Sequence, residues 1–269
     1  RFSDSEAMYK ESLEIYRRLA EVNPQAYEPD LAWTLNNLAI LYSDTQRFSD
    51  SEAMYKESLE IRRRLSQANP QAYEPGLAHT LNNLAILYSH TQRFSDSEAM
   101  YKEALEICRR LAQVNPHAYA PDLVQTLNNL AILYSDTQRF SDSEAMYKES
   151  LEIYRRLAEV NPQAYEPRVV NSLGILSYLS IFTKQYAESE QYAREAFALD
   201  STKHIYYTFL AASLLFQGKF AEAEKIYRQY KAELKESFLS VLILFAVDGV
   251  IPKECEADVE KIKKMLNDE

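Results

Sequence analysis

Apolar residues recur along this chain at helical spacing. Between Asp30 and Thr45 they fall at Leu31, Leu35, Leu38, Ala39 and Tyr42. That rhythm of i, i+4 and i+7 sets one helix face against a neighbour. A second helical pattern starts near Ser49 and continues through Met54, Tyr55, Leu59 and Ile61 to Ala68. Ser49 and Glu52 have the spacing of a capping box, which satisfies free backbone amides at a helix start; phosphorylation of "SDSE" is the alternative reading. Arg62, Arg63 and Arg64 come near the end of this helix, where cations suit the helix dipole. Asn69-Pro70 reads as a stop, and the loop "NPQAYEP" leads to Pro75 as the next helix start.

This two-helix pattern returns every 46 residues. "RFSDSEAMYKE" begins at Arg1, Arg47, Arg93 and Arg139, and "LNNLAILYS" begins at Leu35, Leu81 and Leu127. Residues 47–92 differ from 1–46 at seven positions, and residues 139–167 repeat 1–29 without change. A period of this length predicts units that each bury a face against the next. Eight of the nine prolines fall in the inter-helix loops, two per loop, so the punctuation agrees with the period.

"LNNLAILYSDTQRFSDSEAMYKESLEI" resembles the tetratricopeptide repeat. Leu35, Leu38, Ala39 and Tyr42 match its helix A, and Phe48, Ser51, Tyr55 and Ser58 match its helix B. Serine replaces the usual small alanine twice, and Ala104 restores it once. The long helix B and loop look like the variant found in kinesin light chains and many bacterial arrays. The resemblance implies an all-α fold, a right-handed α-solenoid of antiparallel helix pairs. It divides the chain into a half repeat at 1–27, repeats at 28–73, 74–119, 120–165, 166–199 and 200–235, and a capping helix pair at 236–269. After Pro167 the pattern changes. Ser177 and Ser180 stand where alanine and tyrosine stood, and Tyr186 and Phe220 are spaced by the standard 34 residues. The last pair is expected as an apolar helix at about 236–247, a turn "DGVIP" and a charged helix at about 255–267 that closes the stack against solvent.

Composition narrows the function. The net charge of −10 argues against nucleic acid, whose phosphates need lysine and arginine, and against anionic membrane surfaces. The longest apolar run, Phe238–Val247, is about half of the ~20 residues a membrane span needs. Two distant cysteines, Cys108 and Cys255, make no disulfide framework, so a cytoplasmic location is expected. The chain opens in mid-pattern without methionine and reads as a piece of something longer. It carries no Gly-rich phosphate loop, no C-x-x-C and no H-E-x-x-H. His79, His90, His117 and His204 form no metal-ligand spacing with cysteine. No enzyme chemistry, cofactor or metal is expected.

In the family that this chain resembles, helix A lines a concave groove. The resemblance therefore gives groove-facing roles to Trp33, Asn36, Asn37, Ile40, Ser43 and Asp44. The next copies supply His79, Asn82, Asn83, Ile86, Ser89 and His90, then Gln125, Asn128, Asn129, Ile132, Ser135 and Asp136. The sequence adds its own support. Among near-identical copies, Trp33/His79/Gln125 and Asp44/His90/Asp136 vary eleven residues apart, close to three helical turns and so on one face. Asn37, Asn83 and Asn129 each offer a donor and an acceptor, which suits a peptide backbone. The plainer alternative is that these asparagines bond neighbouring helices or water and recur because the repeat was copied. Trp33 either anchors a partner or packs on a missing unit. Further on, Tyr178, Ile181, Phe182, Phe209, Leu215 and Phe216 make an apolar patch, which either takes a hydrophobic partner or lies under the C-terminal helices.

Three functions compete. The first is a scaffold that binds a protein or extended peptide in its groove. The second is a regulatory or sensor array of a larger effector whose catalytic domain lies elsewhere. The third is self-association by end-to-end stacking of exposed repeat ends.

Overall fold

The structure, a computed structural model, describes residues 2–268, without the side chain of Phe2. Within these residues it contains helices, turns and no strand. The helices are α1 (Phe2–Val22), α2 (Pro24–Asp44), α3 (Phe48–Ala68), α4 (Pro70–His90), α5 (Phe94–Val114), α6 (Pro116–Asp136), α7 (Phe140–Val160), α8 (Pro162–Phe182), α9 (Tyr186–Leu199), α10 (Tyr206–Phe216), α11 (Phe220–Gln229), α12 (Lys231–Val247) and α13 (Glu256–Asn267). A short 3-10 turn, Lys253–Cys255, precedes α13. The fold class is all-α, made of successive helix pairs. Two compact units divide the chain, Arg1–Leu133 and Tyr134–Glu269.

"NPQAYEP" is helical, contrary to the loop expected from its two prolines. Asn23 alone separates α1 from α2, and its Oδ1 accepts a hydrogen bond from Ala26 N at 3.3 Å. Pro24 follows at the first helical position, where no amide hydrogen is needed. "Asn-Pro" is therefore an N-cap as well as a stop. Pro29 sits about one and a half turns further on, inside α2. It removes one hydrogen bond from the ladder near the helix start, and the helix runs through it.

Helix B also starts differently from the reading of Ser49 and Glu52 as a capping box. Helix α3 begins at Phe48, and no side chain caps it. The preceding turn does the work instead. Gln46 takes a left-handed conformation with φ of 60°, and Arg47 N donates to Tyr42 O at 2.8 Å. This closes α2 as a Schellman-type end. Gln92, Gln138 and Lys184 repeat the left-handed position.

In the first unit, α1 packs on α2, α2 on α3, α3 on α4 and α4 on α5. Helices α2 and α4 also touch, which puts the A helices side by side. Leu31, Leu35, Leu38 and Tyr42 of α2 join Leu13 of α1 and Ile61 and Leu65 of α3 in one core. The helix-B serines sit where backbones approach closely. Ser51 Oγ donates to Ala39 O and Ser58 Oγ to Ala32 O, each at 2.7 Å and each buried. A hydroxyl thus replaces the usual alanine by bonding a carbonyl.

Exposed ion pairs tie the B helices together. Arg17 reaches Glu57 at 2.7 Å and Arg63 reaches Glu103 at 2.7 Å. Arg93 holds Glu52 at 2.9 Å while its guanidinium covers the Tyr88 ring at 4.1 Å. Burial alone would raise the Glu52 pKa, but hydrogen bonds from Lys56, Arg93 and Tyr88 bring it below the ordinary value.

In the second unit, α7 to α11 continue the pairwise packing, and α12 and α13 pack on α10 and α11. Ser177 and Ser189 here exchange hydroxyl-to-carbonyl bonds of 2.9 and 2.8 Å. The core gathers Leu210, Leu214, Tyr227, Phe238, Phe245 and Ile262. Glu190 accepts from Lys219 Nζ at 2.7 Å and Gln217 Nε2 at 2.9 Å, and pairs with Arg194 at 2.8 Å.

Two stability predictions follow from this geometry. Gln92→Gly removes a side chain from a left-handed site and should raise stability by about 1 kcal/mol; a melt read through Trp33 fluorescence checks it, and a lower midpoint contradicts it. Burial opposes ionisation of Glu190, but its three cationic and amide donors hold its pKa at about 2, against 4.5 for a free carboxyl. This stabilisation is fully present above about pH 4.5 and is lost as pH falls towards 2. Glu190→Gln should abolish roughly 2 kcal/mol of acid-dependent stability, as read by amide exchange in α9 and α11.

Candidate functional site

The A-helix face of the first unit is built on paired asparagines with divided roles. Asn36 and Asn82 are buried, while Asn37, Asn83 and Asn129 are half-buried. The Asn36 carbonyl accepts from Thr80 Oγ1 at 3.2 Å and from Asn83 Nδ2 at 3.4 Å. One repeat on, the Asn82 carbonyl accepts from Asn129 Nδ2 at 3.2 Å. Each buried asparagine therefore locks the next A helix by its half-buried asparagine. Asn36 and Asn82 border the core and not the open face, a correction to their groove-facing assignment. Asn128 is half-buried, and its Oδ1 has no hydrogen-bond partner. The following copy has Gly174 and Ile175 at the asparagine-pair register.

The bonds leave a specific chemistry exposed. Asn83 Nδ2 lies 3.4 Å from both Asn36 Oδ1 and His79 Nδ1, so its amide hydrogens are engaged and its Oδ1 remains as an acceptor. Asn37 makes no side-chain hydrogen bond among the described residues. The row thus presents amide oxygens, with full donor-and-acceptor freedom only at Asn37.

The variable positions flank this row. Trp33 is 58% exposed, and His79 and Gln125 are exposed. Asp44, His90 and Asp136 are exposed as the last residues of α2, α4 and α6. Ile132 is also exposed, whereas Ile40 and Ile86 are half-covered, as are Ser43, Ser89 and Ser135. Between α4 and α6 opens a cavity of about 40 Å³ lined by His79, Asn82, Cys108, Asp122, Gln125 and Thr126. It has room for a water. Cys108 is buried there with Sγ 3.8 Å from Thr126 Oγ1, and burial raises its pKa, so it is no nucleophile at neutral pH. Desolvation and the nearby Arg62 cation lower the His79 pKa against an opposing pull from Asp122.

Sequence reasoning missed the B-helix position that backs this face. It carries Tyr16, Arg62 and Cys108 in successive copies. Arg62 was assigned with Arg63 and Arg64 to the helix dipole, but α3 continues to Ala68, well past it. Arg63 and Arg64 instead pair with Glu103 and Glu28, at 2.7 and 2.6 Å. Arg62 turns inward over Gly76, where a methyl group would overlap its Nη1. The signal was present in the sequence: this position holds a different residue in each of the first three copies.

The downstream apolar patch lies under α12. Phe245 is fully buried, with its ring 5.5 Å from Phe182, 6.2 Å from Tyr178 and 5.9 Å from Phe216. The Tyr186 hydroxyl donates to Val250 O at 2.8 Å in the turn after α12. The structure thus selects the covered alternative. No described helix is long and apolar enough to cross a membrane.

Tetratricopeptide-repeat family models match residues 31–71 and residues 76–156. The chain is a tetratricopeptide-repeat protein. Its fold is similar to that of BtubC (BKLC) from P. vanneervenii, at 20% identity and a TM-score of 0.58, with 100% of this chain and 93% of that one covered. A Podosopora anserina protein of kinesin-light-chain type, with nearly identical TPR-like repeats, matches at 13% identity and a TM-score of 0.58, covering 76% of this chain and 95% of its own. The apo form of RapI matches at 14% identity and a TM-score of 0.55, covering 97% of this chain and 70% of its own. At such identities the likeness is one of fold. No curated protein matches this tetratricopeptide-repeat sequence.

The amide lock is testable. Asn36→Ala leaves buried Thr80 and half-buried Asn83 without their acceptor and should cost about 1–3 kcal/mol. In a urea-unfolding cycle with Asn83→Ala the two losses should fall short of additive, because the two variants share the Asn83–Asn36 bond. Full additivity would contradict the lock.

Proposed function

We propose that this chain is a non-catalytic scaffold that binds an extended peptide segment of a partner protein along the A-helix face of its first unit. Tetratricopeptide repeats generally mediate protein–protein interaction. The observation that carries the finer reading is the row of half-buried asparagines Asn37, Asn83 and Asn129 beside the exposed, copy-variable Trp33, His79 and Gln125. Successive packed helices stand about 8–10 Å apart, which an extended peptide spans in about three residues. Each amide oxygen can accept one peptide N–H, and the variable side chains can read what lies between. Asp44 and His90 at the helix ends supply a second variable pair.

Asn36, Asn82 and Asn128 act in this reading as backing for the contact row. The distinction matters for the test, because Asn83 and Asn129 also hold the helices together, whereas Asn37 carries no such bond. Selection from a displayed random-peptide library should yield binders to the wild-type protein. Asn37→Ala should weaken them about five- to tenfold, the worth of roughly 1 kcal/mol of hydrogen bonding, without lowering the melting midpoint. Binders that are unaffected by Asn37→Ala and by substitution of Trp33 and His79 would contradict this site.

A further inference from the structure

The ring of His79 is wired into the amide lock. Asn83 Nδ2 lies 3.4 Å from His79 Nδ1 and 3.4 Å from Asn36 Oδ1. An amide nitrogen can only donate, so Nδ1 is the bare, accepting nitrogen and the ring proton sits on Nε2. This wiring is peculiar to one copy. Trp33 and Gln125 stand at the same register, and neither side chain titrates.

The surroundings favour the neutral ring. Arg62 of α3 and Asp122 of α6 are the charges that act on His79. Cys108 of α5 and Tyr119 of α6 line the same cavity, and α2 carries Trp33 at the matching register. Desolvation and the Arg62 cation outweigh the Asp122 carboxylate and hold the His79 pKa below the ordinary 6.5. At neutral pH, Nδ1 therefore accepts. The unfolded chain takes up this proton at higher pH than the folded one, so stability falls as pH drops below 6.5.

A proton on Nδ1 sets two donors face to face, the imidazolium N–H and the Asn83 amide. Half a turn of that amide brings Asn83 Oδ1 to His79 Nδ1–H, but also to the Asn36 carbonyl. Asn36 can answer with the same half turn, because its Nδ2 makes no hydrogen bond among the described residues. That Nδ2 then donates to Asn83 Oδ1 and to Thr80 Oγ1. The Thr80 hydroxyl, which now donates to Asn36 Oδ1 at 3.2 Å, is released to Gly76 O, four residues back. Its counterparts already bond in that way. Thr34 Oγ1 donates to Asp30 O at 2.9 Å, and Thr126 Oγ1 to Asp122 O at 3.0 Å. The relay thus keeps its bonds with their direction inverted, and α2 and α4 stay locked.

We propose that His79 is a polarity switch: a proton on Nδ1 turns the Asn83 amide over, so that the A face presents an N–H there in place of a carbonyl oxygen. Asn129, beside Gln125, keeps its carbonyl free at either pH, so the two amides become unlike in acid. The switch belongs to the relay and operates with or without a bound peptide.

The test follows the side-chain resonances of ¹⁵N-labelled protein from about pH 8 to about pH 5, the range in which histidine changes charge. At the alkaline end His79 Nδ1 should give the signal of an unprotonated ring nitrogen. As the ring titrates, the Asn83 and Asn36 amide resonances should shift with the His79 midpoint. The nuclear Overhauser effect from the Asn36 amide protons to Thr80 should strengthen, since nitrogen replaces oxygen beside the hydroxyl. The Asn129 amide should not follow that midpoint. His79→Gln, the residue of the third copy, should remove the transition at Asn83 and Asn36 without lowering the melting midpoint at neutral pH. A ring protonated on Nδ1 at the alkaline end overturns the switch. An Asn36–Thr80 effect that stays constant through the His79 titration also overturns it, because a charge acting through space shifts resonances and moves no atoms.

Discussion

The bond from the Asn83 amide to the Asn36 carbonyl, repeated from Asn129 to Asn82, fixes one A helix against the next in the first unit. Leucine packing alone would allow small slips, since apolar contact is not directional. A buried amide carbonyl accepts donors along its two lone-pair directions, and leaving it unfilled costs more than the bond returns. Asparagine is a poor helix former, by roughly 0.5–0.7 kcal/mol against alanine. The pair recovers that cost by setting register. It also sets the spacing of whatever the A face presents, so the proposed peptide contacts depend on it.

The two layers of the first unit are held by different chemistry. Amide bonds and buried leucines join the A helices, whereas exposed arginine–glutamate pairs join the B helices. Exposed pairs contribute about 0–1 kcal/mol each and are screened by salt. The buried serines between layers bond backbone carbonyls of the opposite helix and allow close approach. The A layer is thus the stiff one, and stiffness is what a row of ligand contacts requires. The copy-to-copy differences are placed accordingly. Trp33, His79 and Gln125 vary at exposed sites on the stiff layer, while Leu35, Leu81 and Leu127 stay fixed beneath them.

Much of this architecture was legible in the chain because the repeat shows its own period. The helix pairs, the family and the apolar faces follow from recurrence of leucine, alanine and tyrosine in register. What misled was local punctuation. Two prolines in "NPQAYEP" suggested a loop, yet one serves at the first helical position and the other costs a single bond. Ser49 and Glu52 had capping spacing, but the left-handed Gln46 moves the helix start to Phe48 and leaves Ser49 inside. The roles within each asparagine pair were not legible either, because they turn on a rotation of about 100° between neighbours in a helix. One of the pair meets the core and the other the open face.

Copying weakens the evidence of what recurs and strengthens that of what changes. Three identical asparagine pairs could descend from one ancestor pair with no further demand on them. Arg62 and Gly76 are different, because two changes on neighbouring helices must be compatible. Arginine beside an aspartate would have made an ordinary internal ion pair. Arginine beside glycine leaves a guanidinium partly desolvated, with a buried Nε that has no acceptor. Burying an unpaired cation is unfavourable for the fold taken alone. The fold carries it on a B helix, turned over Gly76 of the next A helix.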